Sequence, residues 1–159
     1  MKLSDKGKML LMEWEGFKGE MYKDSAGLAT IGVGHLLTQE ELALYEVALD
    51  DGSRVKFDGG LTDEQVLSLL AVDMRRFEKA VTDAVTISLT QNQCDALVIF
   101  CFNVGISAFR GSTLLKVLNQ GRFSEVPGEL RKWSKARGVV IQGLVNRREK
   151  EIGLWNGDT

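Results

Sequence analysis

Residues 15–38 read EGFKGEMYKDSAGLATIGVGHLLT. Two extended runs, Met21-Tyr22 and Ala29-Thr30-Ile31, flank Asp24-Ser25-Ala26-Gly27, an aspartate-to-glycine spacing that favours a tight turn. The stretch therefore predicts a β-hairpin between Phe17 and His35. Just before it, Ser4 and Asp5 lead into apolar positions Met9, Leu10 and Trp14, the pattern of an N-capped helix over 4–14. Gly16 follows Glu15 where a glycine suits the helix C-terminus.

Moving outward, Thr38-Gln39-Glu40-Glu41 has the spacing of a capping box and predicts a helix reaching about Leu49. Val47 to Leu49 and Val55 to Phe57, around Asp51-Gly52, equally fit a second hairpin, and periodicity leaves both open. Thr62 caps a stronger helix, with Gln65 at its third position and Val66, Leu69, Leu70, Asp73, Met74, Phe77 and Val81 at helical spacing. A helix of about 20 residues spans roughly 30 Å, enough to bridge two lobes. Thr90-Gln91-Asn92-Gln93 opens another helix, whose Cys94, Leu97, Val98, Cys101 and Phe102 are core candidates. Further helices are expected over 112–120, 123–135 and 144–154, with Pro127 at an early helical position and Gly121, Gly138 and Gly143 as punctuation.

The chain has 159 residues, 44% hydrophobic and 26% charged, a mixture that excludes both disorder and a membrane span. A domain of this length buries a core without disulfides. Cys94 and Cys101, seven residues apart on a helix, would lie about 10.5 Å apart at Cα, too far to bridge. With one histidine they match no zinc pattern, so buried thiols, no metal and no cofactor are expected. The apolar run Met9-Leu10-Leu11-Met12 is shorter than a signal-peptide core, so nothing here is expected to export the protein. Residues 1–109 carry 10 Lys or Arg against 17 Asp or Glu, whereas residues 110–151 carry 10 against 4. The basic C-terminal part suits steering toward an anionic polymer or surface, although solvated helix faces give the same count.

Glycosidic bond hydrolysis commonly uses two carboxyl groups, one to protonate the departing oxygen and one to activate water or attack the sugar. Glu15 ends the first helix, where the helix dipole and neighbouring Trp14 and Phe17 disfavour ionisation and suit a general acid. Asp24 on the hairpin turn is placed to face it across a cleft, and Thr30 on the returning strand supplies a hydroxyl to hold a water. Singly, each has an ordinary structural role; their combination is what points to chemistry. His35, the sole histidine, is expected in a structural ion pair with a carboxylate such as Asp73.

The run Glu15-Gly16-Phe17, Tyr22 to Gly27, and Thr30-Ile31-Gly32-Val33-Gly34-His35-Leu36-Leu37-Thr38 resembles the active-site segment of phage-type lysozymes, glycoside hydrolase family 24. The likeness continues at Thr62-Asp63-Glu64-Gln65, at Ala96-Leu97 with Phe102-Asn103-Val104-Gly105, and at Gly143 to Arg148 with Leu154-Trp155. It is weakest over Glu46 to Gly60. The resemblance implies an α+β, mostly helical, two-lobed lysozyme-like fold: one domain over 1–159, with an N-terminal hairpin lobe over about 15–60. An interlobe helix over 62–81 and a C-terminal helical lobe over 82–159 complete it, with helix 4–14 packed on the latter.

That resemblance also implies hydrolysis of the β-1,4 bond between N-acetylmuramic acid and N-acetylglucosamine in peptidoglycan, with inversion. Glu15 would be the acid, and Asp24 and Thr30 would position and activate the water. Inversion needs room for that water, so the two carboxyls should stand about 6.5–9.5 Å apart. Leu36 and Phe102 would line the groove, Asn103 would bond an acetamido group, and Arg147 would pair with Glu15. The expected setting is an endolysin acting as a monomer, held in a host cytoplasm until a separate holin-type pore admits it to the wall, with no stable membrane insertion. A lytic transglycosylase, which needs no activated water, and a silent wall-binding protein are alternatives that the presence of Asp24 and Thr30 disfavours. Nucleic-acid binding through the basic third lacks any recognition motif.

Overall fold

The computed structural model describes residues 1–159. Its elements run α1 (Asp5–Glu15), β1 (Lys18–Lys23), β2 (Ala29–Gly32), β3 (His35–Leu36), α2 (Gln39–Leu44), β4 (Glu46–Ala48), β5 (Arg54–Lys56) and α3 (Asp63–Ala84). Then follow α4 (Gln91–Val104), α5 (Ile106–Arg110), α6 (Thr113–Asn119), a 3-10 turn (Phe123–Glu125), α7 (Val126–Arg131), β6 (Lys135–Ala136), β7 (Val139–Val140) and α8 (Gln142–Asn156). The architecture is α+β and mostly helical, as expected. Two compact units are formed, one by Lys8–Arg75 and one by Met1–Gly7 with Arg76–Thr159.

In the first of these units, β1, β2 and β3 form an antiparallel sheet in that order. Its register aligns Tyr22 with Thr30 and Thr30 with Leu36, while Ile31 pairs with His35. Residues opposite one another share a sheet face and alternate residues change face. Ile31, fully buried, therefore lies on the other side of the sheet from Thr30. The register slips between Lys18 and Tyr22, where Gly19 meets the backbone of Leu61: Leu61 N–H donates to Gly19 O at 2.8 Å. A Cβ at Gly19 would lie 2.5 Å from Leu61 O, so only glycine fits that approach.

The two readings left open for residues 38–57 are both realised in part. The Thr38 capping box forms, with Glu41 N–H donating to Thr38 Oγ1 at 3.1 Å and Thr38 N–H to Glu41 Oε1 at 2.8 Å. The helix stops at Leu44 rather than near Leu49, because Tyr45 takes a left-handed conformation with φ 52°. β4 and β5 then pair, placing Glu46 opposite Lys56 and Val47 opposite Val55. Val47 is buried, and Glu46 accepts from Arg54 at 3.2 Å and contacts Lys56 at 3.3 Å. Cross-strand charge pairs and a β-branched core position outweigh continuation of a short helix here.

The second unit is built on α4, in which every residue from Cys94 to Cys101 is buried. Its N-terminus carries the expected box, Thr90 with Gln93. Phe100 meets Phe109 at 6.4 Å and Trp133 at 5.4 Å between ring centroids, both nearly edge-to-face. Both thiols are free, and burial pushes each up to about 11. The continuous helix expected over 123–135 is instead a 3-10 turn, the six-residue α7 and a strand. Pro127 sits near the α7 start, Lys132 and Trp133 turn off the axis, and β6 pairs with β7 around Arg137-Gly138. The β-branched run Val139-Val140-Ile141 favours an extended chain over a helix. The short α5 has no counterpart among the expected helices, and α8 begins two residues earlier than expected.

Candidate active site

Glu15 is the last residue of α1, and its side chain is exposed. Gly16 N–H closes on Met12 O at 2.9 Å, and its φ of 73° turns the chain toward β1. The turn at Asp24 is closed by Gly27 N–H donating to Asp24 O and by Asp24 N–H donating to Leu28 O, both at 2.9 Å. The Asp24 side chain is fixed as well, because its Oδ1 accepts from Ala26 N–H and from Leu28 N–H, each at 2.9 Å. Oδ2 takes no hydrogen bond from the chain. Thr30, only 2% exposed, donates its hydroxyl to Leu28 O at 2.9 Å.

One peptide neighbour thus governs two candidate groups: Leu28 donates to Asp24 and accepts from Thr30. With its proton committed to a carbonyl, Thr30 Oγ1 has lone pairs for an incoming donor. Asp24 Oδ2 offers the same, so the turn carries two groups with acceptor capacity left over. Sequence reasoning missed Leu28 because its contribution is backbone; the hairpin register alone would have placed it between the two. Tyr22 flanks Thr30 on the side opposite Leu36, with Lys18 Nζ 4.7 Å from its ring centre.

Leu36 is exposed on the face of the sheet that Thr30 occupies. Glu15, Asp24, Thr30 and Leu36 all belong to the unit Lys8–Arg75, whereas Phe102, Asn103 and Arg147 belong to the other. Phe102 stands edge-on to Phe77, ring centres 5.3 Å apart. Asn103, exposed at the end of α4, accepts through Oδ1 from Arg148, which leaves its amide to donate elsewhere. Arg147 donates through Nε to the buried Glu151 at 3.1 Å. The i, i+4 spacing of this pair is visible in the sequence.

His35 bonds Asp73 through Nδ1 at 2.8 Å, as expected, and also faces Glu41 through Nε2 at 3.0 Å. Burial alone would depress its pKa. The hydrogen bonds and charges of Asp73 and Glu41 outweigh that and raise it above the usual histidine value. No group of three or more His, Cys, Asp or Glu side chains is arranged to hold a metal ion.

Residues 12–151 match the family model described as phage lysozyme. The chain belongs to the phage lysozyme family. All seven candidate residues lie within the matched span. An endolysin of Bacillus phage PZA is 38% identical over the whole chain, which spans 57% of that protein's length. The endolysin of Salmonella phage P22 is 36% identical, with 98% of each chain covered. A solved variant of P22 lysozyme superposes with a TM-score of 0.81 at 34% identity, covering 98% of this chain and 99% of that one. The muramidase domain of SpmX from Asticaccaulis excentricus gives a TM-score of 0.76 at 32% identity, covering 97% of both. The lysozyme fold of this family member therefore extends over practically all of its residues.

Proposed function

We propose that this chain is an endolysin that hydrolyses the β-1,4 bond between N-acetylmuramic acid and N-acetylglucosamine in peptidoglycan by an inverting mechanism. The observation that carries this reading is the pair of acceptors at the hairpin turn. Asp24 Oδ2 and Thr30 Oγ1, tied together through Leu28, suit a water whose two protons point at them and whose lone pair points at the anomeric carbon. Glu15 donates its proton to the departing glycosidic oxygen. As the C1–O bond breaks, water oxygen bonds to C1 from the opposite face and its proton passes to Asp24, leaving a reducing sugar and a free hydroxyl.

The remaining assignments rest on the family pattern. Leu36 and Phe102 contact the sugar rings, Asn103 donates its free amide hydrogens to an acetamido carbonyl, and Arg147 supports Glu15. The names of the endolysin relatives support a cell-wall target. A single chain as the working form and release through a separate holin-type pore are part of the same proposal. No helix is long and apolar enough to cross a membrane.

The test is digestion of purified peptidoglycan by wild type, Glu15→Gln and Asp24→Asn. Mass spectrometry should find reducing muramic acid ends from wild type, and proton NMR should find the α anomer first. Each variant should lose about 10²–10⁴-fold in kcat. 1,6-Anhydro ends would assign the protein to the transglycosylases, and undiminished turnover by Glu15→Gln would remove it as the acid.

A further inference from the structure

Residues 130–148 hold six Lys or Arg and no Asp or Glu. Four of the six are engaged at carboxylates: Arg131 with Glu149, Lys132 with Glu129, and Arg147 and Arg148 with Glu151. The side chains of the other two, Lys135 and Arg137, make no ion pair or hydrogen bond within the chain, and both residues are exposed. They sit on the β6–β7 hairpin, where Lys135 faces Val140 and Ala136 faces Val139.

Two features of that hairpin are costly for a structure that only reverses the chain. Arg137 and Gly138 occupy the two central positions of the turn with φ of 52° and 79°. Glycine, asparagine and aspartate adopt the first of these readily, and arginine does not. A charged side chain is therefore kept at the tip against the preference of its own backbone, which points to a demand on the guanidinium. Beside it, Val139, Val140 and Ile141 are 63%, 56% and 41% exposed. Successive strand residues point to opposite faces, so apolar surface is presented on both sides of the hairpin. A partner lying flat against one face would leave the other uncovered; a medium that is apolar on all sides would cover both.

We propose that the β6–β7 hairpin is a peripheral membrane-docking tip that enters the headgroup boundary of a bilayer rich in anionic lipid. Val139, Val140 and Ile141 enter the acyl edge, and Lys135 and Arg137 meet lipid phosphates at the level where long basic side chains place their charges. The two free cations select an anionic over a zwitterionic surface. The β-branched apolar triplet selects a lipid over a hydrated wall polymer. Such docking is reversible and shallow, and it does not depend on the glycan chemistry assigned above.

Sedimentation of the full chain with vesicles tests this, using phosphatidylglycerol mixed with phosphatidylethanolamine against pure phosphatidylcholine. Wild type should partition onto the anionic vesicles at least tenfold better, and 0.5 M NaCl should weaken that binding. Arg137→Gly should bind about fivefold more weakly, yet melt no lower than wild type, because it relieves the turn; its loss cannot be unfolding. Val139→Ser with Val140→Ser should weaken binding about tenfold or more while melting within a few degrees of wild type. Equal binding to both vesicle types, or variants that bind like wild type, would overturn the proposal. So would variants that keep vesicle binding and lose binding to purified peptidoglycan, which would reassign the hairpin to the wall.

Discussion

Leu28 supplies no side-chain chemistry, yet its N–H and C=O hold Asp24 and Thr30, so one residue's backbone fixes both groups of the proposed water site. Thr30→Val removes the hydroxyl and should lower kcat about 10²-fold or more, while Thr30→Ser restores most of it; steady-state kinetics on solubilised glycan check this. His35 is a structural residue of the same unit. A neutral imidazole has one N–H, whereas two carboxylates face its two nitrogens, so the charged form is the one that satisfies both. Its folded-state pKa is raised, so the stability it contributes is full below the unfolded value and disappears as pH rises through the folded one. His35→Asn should therefore cost about 1–3 kcal/mol near pH 5.5 and much less at pH 9, by urea denaturation at the two pH values. An equal cost at both would remove the ion pair as its origin. Cys94 and Cys101, buried and poorly ionised, should resist iodoacetamide at pH 8 until the protein is unfolded.

At the scale of elements, local signals succeeded where capping chemistry or turn residues were distinctive, as at Thr38, Thr90 and Asp24-Gly27. They failed where two short elements competed for one segment. Residues 38–57 became a helix and a hairpin because Tyr45 adopts a left-handed conformation and Glu46 finds Arg54 and Lys56 across the ladder. Neither event is encoded by the spacing of apolar residues. The close approach at Gly19 is similar, since it depends on Leu61, 42 positions away. Gly19→Ala should destabilise the protein by about 2 kcal/mol or more, because the obstacle is a carbonyl oxygen rather than a mobile side chain. A thermal melt within a degree of wild type would show that β1 can move aside.

At the scale of the whole molecule, the unit formed by Met1–Gly7 and Arg76–Thr159 is discontinuous in sequence, and buried Asp95 joins its two parts. Asp95 is fully buried and accepts from Ser4 N–H at 2.9 Å, from Ser4 Oγ and from Gln91 Nε2 at 2.8 Å. Leu3 N–H adds a bond to Glu78 at 2.6 Å. Asp95→Ala should cost about 1–3 kcal/mol, since it leaves the half-buried donors of Ser4 unmatched. A calorimetric melt of the full chain measures this, and a loss below about 0.5 kcal/mol would make the N-terminal tie incidental.

The order of residues was enough to predict a mostly helical α+β chain, the first hairpin, three capped helices, the buried thiols and the His35–Asp73 pair. All but the last rest on interactions within a few positions or on a strongly patterned motif; the last follows from a lone histidine's need for a carboxylate, met 38 positions away at Asp73. Tertiary structure alone decided the second partner of His35, the Leu28 bridge, the second and third hairpins and the clamp on Ser4. These depend on groups that the folded chain brings together, whether six positions apart as His35 and Glu41 or 91 apart as Ser4 and Asp95, or on backbone atoms that every residue carries, and neither leaves a mark in the spacing of side-chain types.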